Sequence, residues 1–195
     1  TFSLHILLLK YEKRKWTVDV IIPTYRPGRE FGELIRRIEE QEYRPDRILV
    51  MNTGEQYWYR EWECCPILEV HHLDQKDFDH GGTRRRAAQL SNADIMIFMT
   101  QDALPADRKL VGNLVHAVSS DPQTGAAYAR QLPKADCRFL ERYTRSFNYP
   151  DQSSVKSLKD VDKYGIKTYF CSNVCAAYDR EIYERIGGFV SRAIF

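Results

Sequence analysis

Ile95-Met96-Ile97-Phe98-Met99-Thr100-Gln101-Asp102-Ala103-Leu104-Pro105 is an uninterrupted apolar run that ends abruptly in polar residues, one carboxylate and a proline. Bounded by Asn92 and Pro105, the run reads as a strand buried on both faces. In open α/β sheets, ligands bind just beyond the carboxyl ends of such strands. Asp102 therefore stands where a buried strand delivers a charge to a crevice, a placement suited to a divalent cation and, through it, a diphosphate. The competing reading is a turn or helix-capping aspartate, since Pro105-Ala106-Asp107 can open a helix nearby.

Moving outward, strand and helix patterns alternate. Val18 to Ile22 is β-branched and stops at Pro23, so it reads as a first strand. Phe31, Leu34, Ile35 and Ile38 recur at helical spacing and predict an amphipathic helix to about Glu42. Ile48 to Met51 is a second buried strand, ending at Asn52-Thr53-Gly54, and Ile67 to Val70 a third, more exposed one. Gly81-Gly82 opens a helix over about Thr83 to Leu90, which leads into the strand before Asp102. Leu110, Val111, Leu114, Val115 and Val118 mark another helix, and Ala126 to Arg130 a further strand. The tract from Asp136 to Tyr164 has weak periodicity and reads as a long functional loop. Lys167 to Ser172 returns to strand character, and Asp179 to Ile186 is a short helix closed by Gly187-Gly188.

This alternation predicts an α/β fold, a mostly parallel sheet flanked by helices. The carboxyl ends then gather Pro23-Thr24-Tyr25-Arg26, Asn52-Thr53-Gly54 and Thr100-Gln101-Asp102 on one edge. That convergence favours a binding role for Asp102 over a capping one.

The chain of 195 residues suits one domain with a substantial core. Its net charge of +2 gives no support to nucleic-acid binding by phosphate neutralisation. Five cysteines, two of them adjacent, make a poor disulfide framework and read as reduced thiols of a cytosolic protein. Leu4 to Leu9 is far shorter than a membrane span of roughly 20 residues and lacks a signal-peptide cleavage site.

The Pro23–Arg26 loop offers a hydroxyl, an aromatic face and a cation to a nucleobase or ribose, though Pro27-Gly28 is also ordinary turn chemistry. His80-Gly81-Gly82-Thr83-Arg84 precedes a helix. Free backbone N–H groups there would form an anion site, with Arg84 adding a charge-assisted bond to phosphate. Neither a Gly-x-Gly-x-x-Gly signature nor a Walker-type loop occurs. His71, His72 and His116 lack ligand spacing and read as surface or internally satisfied histidines. No Gly-x-Ser-x-Gly elbow is present.

Asp19-Val20-Ile21-Ile22-Pro23-Thr24-Tyr25, His80-Gly81-Gly82-Thr83-Arg84 and Thr100-Gln101-Asp102-Ala103, in that order, resemble the inverting nucleotide-sugar glycosyltransferases of the GT-A fold. Arg130-Gln131-Leu132-Pro133, Phe147-Asn148-Tyr149-Pro150, Tyr164 to Thr168, Ser172 to Tyr178 and Gly187-Gly188-Phe189 are similar to their rhamnosyltransferase-like branch. The resemblance runs from about Thr17 to the C-terminus. It divides the chain into an N-terminal extension, 1–16, and a glycosyltransferase domain, 17–195.

The resemblance implies that Thr24, Tyr25, Arg26, Asn52 and Thr53 hold the nucleoside. It sets Gly82 and Arg84 beside the sugar nucleotide, with Gln101 and Asp102 completing the donor site. Where the family has Asp-x-Asp, this chain has Thr100 and Asp102, leaving Asp102 as the ligand for Mg²⁺ or Mn²⁺. The implied donor is a nucleotide-diphospho-deoxysugar such as dTDP-L-rhamnose. The implied acceptor is a glycan or lipid-linked glycan at the cell surface, met in the cytoplasm at the inner face of the membrane, with peripheral membrane association. The family's acidic base follows Gly-Gly-Phe. Here no carboxylate follows Glu184, so the expectation is a C-terminally truncated domain whose base lies beyond Phe195. Two other functions compatible with the residues are a nucleotidyltransferase and a non-catalytic sugar-nucleotide-binding domain.

Overall fold

A computed structural model describes residues 16–133 and 137–191. The apolar run Leu4 to Leu9, the start of the Asp136 tract and the last four residues lie outside this description. Among the described residues one sheet has the order β3-β2-β1-β4-β6-β5. Its strands are β1 Val18–Tyr25, β2 Arg47–Thr53, β3 Leu68–Leu73, β4 Ile95–Met99, β5 Ala126–Tyr128 and β6 Cys175–Asp179. The helices are α1 Phe31–Glu39, α2 His80–Leu90, α3 Leu110–Ser119, α4 Phe139–Asn148, α5 Val161–Tyr164 and α6 Arg180–Arg185.

β1 to β4 pair in parallel, while β6 runs antiparallel to both β4 and β5. Strand alternation divides the apolar side chains between two cores. Val20, Ile22, Ile48, Val50, Ile97 and Met99 face Leu34 and Ile38 of α1 and Val111, Leu114 and Val115 of α3. Ile21, Leu49, Met51, Met96 and Phe98 face Ala87 and Ala88 of α2 and Tyr183 of α6. Both faces are covered, which is why the central strands are continuous apolar runs rather than alternating ones.

Several boundaries differ from the sequence reading. β1 continues through Pro23 to Tyr25, because its pairing with β4 stops at Ile21–Phe98 while that with β2 goes on. The missing N–H of Pro23 points to the β4 side, where no ladder bond is lost. α1 stops at Glu39 because Gln41 turns inward. Its amide donates to the carbonyls of Arg37 (3.1 Å) and Asp107 (2.8 Å) and accepts from Val111 N–H (3.1 Å), closing α1 and opening α3. The Asp136–Tyr164 tract is not a loop throughout, since it contains α4 and α5. The expected strand at Lys167–Ser172 is displaced: residues Gly165–Tyr169 form a 3₁₀ turn, and the strand is β6, eight residues later.

Candidate functional site

The carboxyl ends of β1, β2 and β4 do share one edge. Thr24 pairs with Asn52 and Tyr25 with Thr53 in the β1–β2 register. Beyond β4, the Gln101 amide bonds the Tyr25 backbone, accepting from its N–H at 2.7 Å and donating to its carbonyl at 3.3 Å. Asp102 follows, exposed, on the same rim.

Not all the expected contact residues reach the surface of this rim. Thr24 and Asn52 are both buried, and the Thr24 hydroxyl donates to Asn52 Oδ1 at 2.8 Å. Asn52 Nδ2 meets His72 Nδ1 at 2.9 Å. These side chains tie β1, β2 and β3 together and are spent on one another. Gln101 is likewise committed to Tyr25. Thr53 is fully buried, and its carbonyl accepts from Arg26 N–H at 3.2 Å.

Tyr25 and Arg26 are exposed. Arg26 adopts a left-handed backbone, φ 46°, which is uncommon for a non-glycine residue. Its guanidinium lies 5.0 Å from the Tyr25 ring centroid and 5.1 Å from that of Tyr57. Two aromatic faces and a cation are thus stacked at the mouth of the β1–β2 edge. Tyr57, in the Glu55–Tyr57 3₁₀ turn after β2, went unnoticed in the sequence. An aromatic residue three places after a turn glycine is the signal that marks it. Alongside opens a cavity of about 810 Å³ bordered by Trp58, Arg60, Val70 and His72.

The Gly-Gly-Thr-Arg element is arranged differently from the expectation. α2 begins at His80, so both glycines lie within its first turn. The N-cap is Asp79, whose carboxylate accepts from Gly82 N–H, and Asp79 N–H reaches Thr83 Oγ1 at 3.3 Å. Gly82 N–H is therefore not free for an external anion: an internal carboxylate already occupies that end of the helix. The glycines serve close packing. A Cβ on Gly81 would fall 1.8 Å from the Val190 carbonyl oxygen, and one on Gly82 would fall 2.7 Å from Asp79 Oδ2. Gly81 thus allows the chain after Gly187-Gly188-Phe189 to cross the start of α2. Arg85 fixes that crossing by donating to Gly187 O at 3.0 Å, and Phe189 packs edge-on against Phe98 at 4.9 Å.

Arg84 retains a site-like environment. Its Nη1 donates to His80 O at 2.9 Å, but Nε is buried with no partner. Burial disfavours its charged form, opposed only by nearby Tyr178. Two other side-chain atoms among the described residues share this condition: Thr53 Oγ1 and Thr100 Oγ1. By strand alternation, both threonines face the α2 side of the sheet, at the same carboxyl edge as the first turns of α2. Buried polar groups without partners are rare. Here the two threonines lie at the strand ends that form the rim carrying Asp102, and Arg84 lies on the helix that packs on the same side of the sheet.

No group of three or more His, Cys, Asp or Glu side chains is arranged to hold a metal among the described residues. A closed, all-protein metal centre does not fit. Mg²⁺ or Mn²⁺ held by one carboxylate together with substrate phosphates does fit, because these ions commonly bind through one or two carboxylates and phosphate oxygens. The five cysteines are unpaired, and burial pushes the Cys175 thiol up to about 12, which leaves it inert. Among the described residues no helix is long and apolar enough to cross a membrane.

Comparison with known proteins agrees with this architecture. The chain is 40% identical over 184 residues to the O-antigen chain rhamnosyltransferase RfbN of Salmonella typhimurium, covering 91% of this chain and 57% of that protein. It is 30% identical over 177 residues to the O-antigen chain rhamnosyltransferase WbaN of Salmonella anatum, covering 90% and 56%. The chain thus spans little more than half the length of these curated relatives. Its fold is similar to that of the mannosyltransferase PcManGT from Pyrobaculum calidifontis, solved with GDP-Man and Mn²⁺. The TM-score is 0.65 at 21% identity, over 91% of this chain and 48% of that one. The sequence pattern of glycosyl transferase family 2 matches residues 19–187, and the chain belongs to that family.

Proposed function

We propose that this chain forms the donor-binding part of a rhamnosyltransferase of O-antigen synthesis. On this reading it takes a nucleotide-diphospho-deoxysugar such as dTDP-L-rhamnose and passes the sugar to a glycan acceptor with inversion. The observation that carries the reading is the set of unpartnered buried atoms: Thr53 Oγ1 and Thr100 Oγ1 at the ends of β2 and β4, the latter two residues before exposed Asp102, and Arg84 Nε in the first turns of α2. The identity to two O-antigen rhamnosyltransferases supports the choice of sugar.

The division of labour follows from the geometry. Tyr25, Arg26 and Tyr57 present stacked faces to the nucleoside. Arg84 donates to the diphosphate and regains, on binding, the partner its burial denies it. Asp102 would hold Mg²⁺ or Mn²⁺ against the diphosphate, and the ion supplies charge neutralisation of the leaving group. Gln101, Asn52 and Thr24 keep the β1, β2 and β4 ends in register. An acidic base then accepts the proton of the attacking acceptor hydroxyl.

A peripheral place at the inner face of the membrane is part of the same reading. Phe139, Leu140, Tyr143 and Phe147 form an exposed stripe along α4, with Arg138 at its start, Arg142 within the helix and Lys167 over the Phe147 ring.

Calorimetric titration with a panel of nucleotide sugars, with and without Mn²⁺, tests the proposal. Binding of a dTDP-deoxyhexose that strengthens with Mn²⁺ and loses this gain in Asp102→Asn is expected. Absence of binding to every nucleotide sugar would overturn it.

A further inference from the structure

The rim that carries Asp102 continues onto β6. Thr100 N–H donates to Val174 O at 3.0 Å, and the antiparallel register pairs Met99 with Cys175. The residue before Val174, Asn173, is therefore set beside the turn that holds Gln101 and Asp102. The sheet order β2-β1-β4-β6 lays the site out along this edge. Tyr25, Arg26 and Tyr57 stand at the β1–β2 end and Asp102 at β4. Asn173 stands one strand spacing further on, about 5 Å. A donor with its nucleoside on the tyrosines and its diphosphate at Asp102 brings its sugar to the start of β6.

Asn173 is half-buried, and its amide is held from behind. Tyr178 Oη donates to Asn173 Oδ1 at 2.6 Å. A phenol has one proton to give, and this bond uses it. The Cys171 thiol, 3.7 Å from the same Oη, is therefore the donor in that second contact. Donation runs from Cys171 Sγ to Tyr178 Oη to Asn173 Oδ1. Burial pushes both the Cys171 thiol and the Tyr178 phenol up, so each keeps its proton near neutral pH. Turning the amide over would leave the phenol proton only a sulfur to meet, and sulfur is a weak acceptor. Nδ2, with its two N–H groups, is thus kept facing away from Tyr178.

Tyr178 is itself fixed. Its ring lies in the α2-side core, edge-on to Phe98 at 5.8 Å, to Phe189 at 5.5 Å and to Tyr183 at 6.0 Å. Arg84 is close enough to interact with its phenol. Tyr178 so joins β6, the helix that carries Arg84 and the segment that crosses the start of that helix. The amide it orients brings donors without charge. Arg84 and an ion at Asp102 already supply the charge that a diphosphate needs, whereas a neutral donor suits a hydroxyl. A site built to bond one hydroxyl discriminates strongly, because a ligand lacking that group leaves the site's own polar group unpaired.

We propose that Asn173 reads a hydroxyl of the donor sugar and that Tyr178 is its positioning residue. The assignment to the sugar rests on the donor reading above.

The test is calorimetric titration of dTDP and of dTDP-L-rhamnose, with Mn²⁺ present, into the parent chain, Asn173→Ala, Tyr178→Phe and the double variant. Asn173→Ala should weaken dTDP-L-rhamnose by about tenfold and leave dTDP unchanged, the loss of one hydrogen bond. Tyr178→Phe keeps the ring in the core and removes one oxygen. It should weaken dTDP-L-rhamnose by about threefold or more, again sparing dTDP, and it carries the test should Asn173→Ala fail to fold. In the double variant the Tyr178 change should cost nothing beyond Asn173→Ala, because the phenol acts only through the amide. A purely structural Tyr178 would instead give additive losses, and equal ones for the two ligands. Undiminished affinity for dTDP-L-rhamnose in a folded variant, equal losses for dTDP and dTDP-L-rhamnose, or additive losses in the double variant would overturn the proposal. A parent chain that binds neither ligand would overturn the donor reading, and this assignment with it. A parent that binds both, with variants that do not separate them, would overturn this assignment alone.

Discussion

The side-chain amide of Gln101 continues the sheet for Tyr25 where the backbone of β4 no longer does. It takes both the N–H and the carbonyl of Tyr25, at 2.7 and 3.3 Å, one residue pair beyond Pro23. The Tyr25 ring and the Arg26 guanidinium stacked on it are therefore held by a residue of the strand that also delivers Asp102. Gln101→Ala should cost about 1 kcal/mol in urea unfolding, the ordinary net worth of such a bond. It should also weaken nucleoside binding several-fold by releasing the Tyr25–Arg26 loop. If nucleoside affinity is unchanged in the variant, the loop is ordered by Tyr57 and the β2 end alone.

Much of this edge was legible in the sequence, because buried parallel strands write themselves as unbroken apolar runs that end in polar residues. β1, β2 and β4 were found in that way, and so was the common edge of Tyr25, Thr53 and Asp102. Which polar residue faces a ligand and which faces a neighbour was not legible. Thr24 and Asn52 have the chemistry of a binding site, but register sets them against each other and against His72. The sequence reading starts α2 near Thr83 because two glycines have low helix propensity, while in the structure Asp79 caps the helix and Gly81 admits the Val190 carbonyl. α4 was missed because its apolar residues, spaced 139, 140, 143 and 147, sit in a polar tract and face outward. β6 was displaced because alanines at 176 and 177 carry little strand signal on their own.

Arg84 should show opposite signs in stability and binding. A half-buried guanidinium with no carboxylate and an unpartnered Nε is costly to the free protein, so Arg84→Met should leave the unliganded chain about as stable as before or stabilise it. The same change should weaken dTDP binding by about 1.5–3 kcal/mol, roughly ten- to hundredfold, and thymidine binding far less. Thermal unfolding paired with calorimetry reads both. Equal losses for thymidine and dTDP would show that Arg84 does not contact phosphate.

The two glycines of α2 should respond unequally to alanine. At Gly81 the new methyl would meet the Val190 carbonyl at 1.8 Å, so the backbone of the crossing segment must move. Overpacking of this kind costs about 1–3 kcal/mol, and residues 187–191 should become open to limited proteolysis. At Gly82 the methyl meets only the end of the Asp79 side chain, at 2.7 Å, and alanine gains up to about 1 kcal/mol of helix propensity. Gly82→Ala should therefore be close to neutral in urea unfolding. Matching losses at the two positions would mean that the Val190 contact does not govern the fit.

Glu69 gives the fold an acid-sensitive contact across β2 and β3. Hydrogen bonds from His71 and then Arg47 hold its carboxyl below the ordinary 4.5. A folded-state value depressed in this way stabilises the protein above the unfolded value, and the contribution disappears as pH falls through the folded one. The Glu69 side chain is 40% exposed, so solvent screening limits the gain to about 1 kcal/mol or less. Glu69→Gln should be less stable than the parent at pH 7, and the gap should close in strong acid. A gap of the same size at both pH values would assign the loss to packing rather than to charge.

The α4 stripe makes the membrane reading testable without any substrate. Phe139 is 83% exposed and Leu140 73%, while Tyr143 and Phe147 stack at 6.4 Å and Lys167 lies 3.4 Å from the Phe147 ring. Between residues 137 and 170 the sequence carries seven Lys and Arg side chains against four carboxylates, so the apolar stripe is set in a cationic surround. Such a surface should bind vesicles containing anionic phospholipid more tightly than neutral ones, and the preference should fall with added salt over a Debye length of about 10 Å at 0.1 M. Burying each phenyl ring is worth about 1.5–3 kcal/mol, so Phe139→Ser combined with Phe147→Ser should weaken vesicle binding by more than tenfold. The free protein should stay folded, because both rings lie outside the two cores. Co-sedimentation at two salt concentrations decides the matter. Equal binding to neutral and anionic vesicles, or a double variant that binds as well as the parent, would remove α4 as the surface that meets the membrane.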